Sequence, residues 1–271
     1  MNLRLPSLWD ERIHNLALGL EPRDPMRRSR IGLPGVEVAV DGVPHPLPRT
    51  RRVPGASPWV PTDALRRIGR KDTCRYVLLW KPGAKPLVTL RFQDRGQRFV
   101  PRRLEVALPD PIEQGRVCRP ALFPGAAYDV PAGAVGLRGR ILRDGAPLRW
   151  ARAEARRTED DVPVGWAHGD QHGEFLLLLD PEAVMGAELV LPIRVRVVVS
   201  GPDDPLDPDD FPGSDVDPLW DLPVEKVPLG PAADGVLAGT ELPDGYASRA
   251  GSDREVELGL DGLGREEFDF S

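Results

Sequence analysis

Residues 135–155 read VGLRGRILRDGAPLRWARAEA, and their pattern decides the fold. The run 135–143 reads as a strand. Asp144-Gly145 supplies the two positive-φ positions of a tight hairpin turn, and 148–157 reads as the returning strand. The rhythm continues: 162–167 as a strand, 169–173 as a turn, 174–179 as a strand. A short helix is expected at 181–186. In 189–200, Ile193, Val195 and Val197 alternate against Arg194 and Arg196, as in a strand with one buried face. Turn signals recurring at roughly 8–12 residues mark a β-sandwich.

Composition points the same way. Proline (31) and glycine (28) together are 59 of 271 residues, about twice the usual share, and helix interiors tolerate neither. Hydrophobic residues at 41% suffice for a real core. No apolar run approaches the roughly 18 residues of a membrane helix. Asp10, Glu11 and Arg12 interrupt the first twenty residues where a secretory signal needs an apolar run, so a cytoplasmic location is expected. The cysteines, Cys74 and Cys118, are too few for a disulfide scaffold or an all-cysteine zinc site and read as buried small hydrophobes.

Upstream, Ile13, Leu16 and Leu20 share a face at helical spacing, predicting a short helix over 10–20 that Pro22 and Pro25 stop. Residues 36–41 alternate as a strand ending in an Asp41-Gly42 turn, and 43–62 are proline-rich and irregular. A helical turn is expected at 63–70, capped by Asp63. Three strand-like runs follow, 76–80, 87–92 and 99–108; the first two form a plausible hairpin, and Pro101 puts the third at an edge or a bulge. Past the sandwich, 201–218 hold seven aspartates and no basic residue, and read as a loop. Strand-like pieces recur at 222–227, 236–238 and 255–260. The fold class expected is all-β, two sandwich-like domains (1–130 and 131–271) with long Pro/Gly-rich loops and little helix.

The segment 135–155 followed by AHGDQHGEFLLLL at 167–179 resembles the carboxypeptidase regulatory-like, or transthyretin-like, domain over about 133–200. The matching positions are Gly139, Ile141, Asp144, Gly145, Pro147, Ala151 and Ala153, then Asp170, Gly173 and Phe175. The family usually places Thr-Asp before the second turn; here His168-Gly169-Asp170 stands there, which alters the local hydrogen-bonding groups. The resemblance implies a seven-stranded sandwich that supports a neighbour or mediates contacts, and it implies no catalysis. RFVPRRLEVALP at 98–109, CRPALFPGAAYDVPAGAVGLRGRI at 118–141 and the acidic tail together resemble accessory structural proteins of phage-tail-like contractile injection systems: caps, terminators or baseplate subunits.

The net charge of −6 hides an asymmetry. Residues 1–132 carry 23 Lys/Arg and 13 Asp/Glu, a net of +10; residues 133–271 carry 13 and 29, a net of −16. Such polarity favours association between copies or with different partners. The interface candidates are therefore the basic Arg49, Arg51, Arg52, Arg66 and Arg67, the acidic Asp203, Asp204, Asp207, Asp209 and Asp210, and Trp220 as an anchor just after the acidic loop. Trp150 and Trp166, in adjacent strands, are expected to meet.

Candidate chemistry is sparse. His168, Asp170 and His172 sit where a hairpin turn is expected, and that spacing does not align two metal ligands there, so they read as a polar turn. The aspartate loop lacks the spacing of a calcium-binding EF-hand. The basic group has few aromatic neighbours and the pI is about 5.4, so no nucleic-acid partner is expected. No nucleophile-elbow, phosphate-loop or dinucleotide motif occurs. The function expected is a non-enzymatic assembly subunit on a phage-tail-like particle, with other protein subunits or its own copies as partners and neither membrane nor cofactor. The alternatives are a module binding a peptide or glycan, and a hydrolase using His168, Asp170 or His172.

Overall fold

Asp144 (φ 51°) and Gly145 (φ 77°) both take left-handed backbone, and the chain reverses over two residues, pairing Arg143 with Ala146 and Leu142 with Pro147. The tight turn is the one the sequence predicts, but the chain it returns along the first strand is Ala146–Pro147 alone, not 148–157. The computed structural model describes residues 16–27, 29–31, 35–40, 68–70, 75–79, 87–108, 117–180, 193–203, 217–227, 242–259 and 263–269.

The protein is all-β, with no helix among the described residues. Its strands are β1 (Leu16–Leu20), β2 (Arg23–Asp24), β3 (Ser29–Arg30), β4 (Val36–Val40), β5 (Ile68–Arg70), β6 (Tyr76–Leu79), β7 (Leu87–Asp94), β8 (Arg102–Ala107) and β9 (Val117–Cys118). They continue as β10 (Gly136–Arg143), β11 (Ala146–Pro147), β12 (Arg152–Arg157), β13 (Pro163–His168), β14 (Glu174–Leu179), β15 (Ile193–Pro202), β16 (Val224–Val227), β17 (Tyr246–Leu258) and β18 (Leu263–Asp269). The largest sheet runs β11-β10-β14-β13-β12-β15-β17, with β18 parallel to β10. Two four-stranded sheets run β5-β6-β1-β9 and β16-β8-β7-β4.

The period-two pattern sorts side chains as expected. Val195, Val197 and Val199 of β15 and Ala153 and Ala155 of β12 face one core, with Leu177, Phe175 and Phe268. The other core holds Leu18, Leu20, Leu78, Leu90, Phe92 and Leu104. β14 serves both: Phe175, Leu177 and Leu179 enter the first, Leu176 and Leu178 the second. Its unbroken FLLLL run is the composition of a strand with no solvent face.

Several local expectations are corrected. The described part of the 10–20 segment, Leu16–Leu20, is a strand: antiparallel pairing with β6 and parallel pairing with β9 outweigh the helical spacing. Residues 68–70 likewise pair with β6 rather than forming a helical turn. Residues 76–79 and 87–94 do not form a hairpin, because β6 lies between β5 and β1 while β7 lies between β8 and β4. The hairpin is β7–β8, closed by Asp94, whose carboxylate accepts from the backbone N–H of Gly96 and Arg98 and from the Arg98 guanidinium. β8 is an interior strand, not an edge; Pro101 just precedes Arg102, its first residue, and so removes no ladder bond. The strand predicted over 148–157 starts only at Arg152, after the left-handed Trp150 (φ 60°), and pairs with β13 and β15 instead of returning along β10. The expected helix at 181–186 and strand at 236–238 lie outside the described residues, as does Cys74; Cys118 is buried, as expected. β16 belongs by sequence to the acidic part and pairs, in parallel, with β8 of the basic part.

The Gly173 turn gives the first test. Gly173 has φ +70°, and a Cβ there would lie 2.5 Å from the Ile141 carbonyl oxygen; at Gly145 (φ +77°) nothing lies within 4 Å. Gly145→Ala is expected to cost about 1 kcal/mol, the strain of left-handed backbone alone. Gly173→Ala adds a backbone clash and is expected to cost about 2 kcal/mol more. Urea unfolding of the two variants checks the order.

Candidate functional site

A charged strand residue stands at the centre. β16 alternates, and its parallel register on β8 turns Glu225 inward, where it is 3% exposed. Arg102, fully buried on β8, donates to it from Nε (3.1 Å) and Nη2 (2.6 Å). Arg152, 7% exposed on β12, donates to it from Nη2 (3.2 Å). Arg102 also donates through Nη1 to the Ala121 carbonyl, and Arg152 Nη1 to the Trp150 carbonyl (2.7 Å). One carboxylate thus bridges the sheet of the basic part and the largest sheet. Buried arginines need such a partner, because a desolvated charge left alone is costly.

His168 lies beside this bridge. It ends β13 and is 2% exposed, its imidazole stacked on Phe123 (centroids 3.8 Å apart, planes at 21°), and the Arg102 guanidinium lies 5.5 Å from the Phe123 ring centre. Burial drives its pKa well below the usual histidine range, and the charges of Arg152 and Arg102 push the same way, so the ring is neutral. The expectation of a polar turn at His168 is therefore corrected: the register places it in the interior. Asp170 and His172 do lie in the turn. The Asp170 carboxylate accepts from the backbone N–H of His172 (2.8 Å) and Glu174 (3.0 Å). Among the described residues no group of three His, Cys, Asp or Glu side chains is placed to hold a metal ion.

Trp150, next to the bridge, carries the most unusual backbone. It is 2% exposed and left-handed, a conformation that costs a bulky residue roughly 1–3 kcal/mol. Its carbonyl accepts from Arg152 and from the Tyr246 hydroxyl (2.9 Å). Burial raises the Tyr246 pKa to about 12, with Arg152 opposing, and keeps that hydroxyl a donor. The Trp150 ring packs on Leu219 and Leu222.

On this framework opens a cleft of about 770 Å³, lined by Trp150, Trp220 and Tyr246 and by Pro147, Pro202, Pro223 and Pro243. Its volume lies in the range of ligand pockets. Its charged groups are held by neighbours. Arg149 binds Asp221 through two contacts of 2.6 Å and lies 5.4 Å from the Trp150 ring centre; Arg143 donates to the Pro202 carbonyl (2.5 Å); Lys226 pairs with Asp244.

Of the interface candidates, Asp203 and Trp220 both line this cleft, Asp203 exposed and Trp220 half-buried. Arg49, Arg51, Arg52, Arg66, Arg67, Asp204, Asp207, Asp209 and Asp210 lie outside the described residues. Trp150 and Trp166 do not line the same space: Trp166 borders a second pocket with His168 and Arg152. Sequence reading missed Glu225, Arg102 and Arg152. The available signal was a charged residue whose alternate neighbours are apolar, as Glu225 between Pro223 and Val227 in PVEKV at 223–227. Comparison of the chain with family models, with curated proteins and with solved structures gave no match.

Two outcomes follow from the bridge and the ring beside it. Glu225→Gln leaves two buried guanidinium groups without their carboxylate and is expected to destabilise by about 3–5 kcal/mol, with a double-mutant cycle against Arg152→Met showing strong coupling. For His168 the folded pKa is below the unfolded value. Below about pH 6.5 the unfolded chain takes a proton that the folded one refuses, so stability falls with acidification, by at most about 1.4 kcal/mol per pH unit. His168→Gln is expected to flatten that slope between pH 6.5 and 5 in denaturant titrations; an unchanged slope would assign it elsewhere.

Proposed function

We propose that the chain is a non-enzymatic docking module that grips an extended segment of a partner protein in the cleft of Trp150, Trp220 and Tyr246. The wall chemistry carries this reading: Trp220, Tyr246 and four prolines stand around one cleft, with the buried Trp150 behind them. Proline has no N–H, so these walls present apolar surface with few donors, and aromatic-lined grooves accept proline-rich and other extended peptides. A glycan is served less well. Sugar stacking needs an open ring face, whereas Trp150 is almost wholly buried and has Arg149 over its ring.

The hydrolase alternative finds less support. Asp170 is committed to two backbone N–H groups, and His168 is stacked in the interior. The partner is another subunit of a larger assembly, a copy of this chain included. A phage-tail-like contractile particle assembled in the cytoplasm is the setting the second resemblance suggests. Some of the charge asymmetry is used within the chain, where Arg91 pairs with Asp217 and Arg102 with Glu225. Specificity therefore rests on the cleft more than on the net charge of either part.

Selection of a random peptide library on the purified protein tests this. Enriched peptides are expected to carry proline and aliphatic or aromatic residues. Trp220→Ala should weaken them roughly tenfold, about 1.4 kcal/mol, while Val162→Ala, on an exposed turn, should not. Binders indifferent to Trp220→Ala, or no enrichment, would remove the cleft from the function.

A further inference from the structure

An aspartate followed by glycine carries its own electrophile and its own nucleophile. The glycine nitrogen attacks the aspartate Cγ and closes a five-membered succinimide. The nitrogen gives up its proton and the carboxyl its hydroxyl, and the two leave as water. Water then adds back at either carbonyl. One opening restores aspartate; the other leaves isoaspartate, whose main chain runs through Cβ and Cγ and is one carbon longer. No reactant beyond water enters. Glycine favours the closure because no Cβ crowds the attacking nitrogen.

Two such pairs lie among the described residues, both exposed and both in turns. Asp144-Gly145 is the tip between β10 and β11, and Asp244-Gly245 leads into β17. Asp41-Gly42, Asp234-Gly235 and Asp261-Gly262 lie outside the described residues. The two pairs differ in what holds them. The Asp244 carboxylate accepts from Lys226 Nζ at 2.9 Å, and the Gly245 carbonyl accepts from the Asp203 N–H at 2.8 Å. Among the described residues the Asp144 carboxylate has no hydrogen bond or ion pair, and the Gly145 N–H has no acceptor. The left-handed backbone of Asp144 (φ 51°) is a strain that opening of the tip relieves. The nucleophile and electrophile at 144–145 are therefore both uncommitted.

The product has a structural consequence. Arg143 pairs with Ala146 across a loop of two residues, and Arg143, Ala146 and Pro147 line the aromatic cleft. An extra main-chain carbon does not fit that loop, so Ala146 and Pro147 must shift. We propose that Asp144-Gly145 is a site of spontaneous isoaspartate formation, faster than Asp244-Gly245, and that the product remodels this wall of the cleft. The proposal does not rest on what the cleft holds.

The full chain, aged for several weeks at body temperature in mildly acidic buffer, tests this. Peptide mapping with electron-transfer fragmentation reads isoaspartate at each pair. Product at 144 is expected to exceed that at 244 by about threefold, the worth of an exposed ion pair. Lys226→Gln, shown to be folded by thermal unfolding, should raise the product at 244 by a similar factor and leave 144 unchanged. NMR of the aged protein is expected to show new Ala146 and Leu148 amide resonances. No isoaspartate at 144 over a period in which the free peptide ILRDGAPL accumulates it would overturn the proposal. So would product at 244 equal to or above that at 144, no change at 244 in Lys226→Gln, or unaltered Ala146 and Leu148 resonances in the isomerised protein.

Discussion

The Glu225 carboxylate between Arg102 and Arg152 is the contact on which the rest of the arrangement depends. A carboxylate at that depth is tolerable only when its charge is matched at close range, and both guanidinium groups need it for the same reason. β16 must therefore lie on β8 in the one register that aims Glu225 at both. That register brings the 217–223 segment across to the largest sheet, where Leu219 and Leu222 cover Trp150. Burial, with the two arginines pushing the same way, holds His168 neutral, so a ring that ordinarily titrates near neutral pH behaves as a stacked aromatic.

The second constraint is β14. Because alternate side chains of this strand enter different cores, a one-residue slip would exchange Phe175 and Leu177 for Leu176 and Leu178 in both at once. Gly173 sets the phase. Its left-handed backbone sits against the Ile141 carbonyl, and Ile141 N–H donates back to the Gly173 carbonyl at 2.8 Å. Turn chemistry at one glycine thus fixes which leucines face which core.

The two pockets differ in polarity. The larger is walled by rings and prolines, its ionic groups already paired along its sides. The smaller is bordered by Arg152, Glu154, Arg156 and His168. They meet at the Trp150–Arg152 step: Trp150 borders the cleft, and its carbonyl accepts from Arg152, which borders the pocket. The left-handed bend at Trp150 separates them and is held from both directions, since Tyr246 donates to the same carbonyl.

Local chemistry written into the chain determined the all-β class, the Asp144-Gly145 turn, the Asp170–Gly173 turn and the alternation of β15, because turn geometry and period-two burial depend on residues a few positions apart. Strand partners were not legible in the chain. LALGL at 16–20 satisfies a helical spacing and a strand spacing alike, and only pairing with β6 and β9 decides between them. Nor could the sequence place Glu225, which lies 123 positions from Arg102 and 73 from Arg152, or move His168 from a polar turn into the interior. Burial is a property of the neighbours a register supplies, so the charged bridge, the neutral histidine and both pockets came into being only with the tertiary structure.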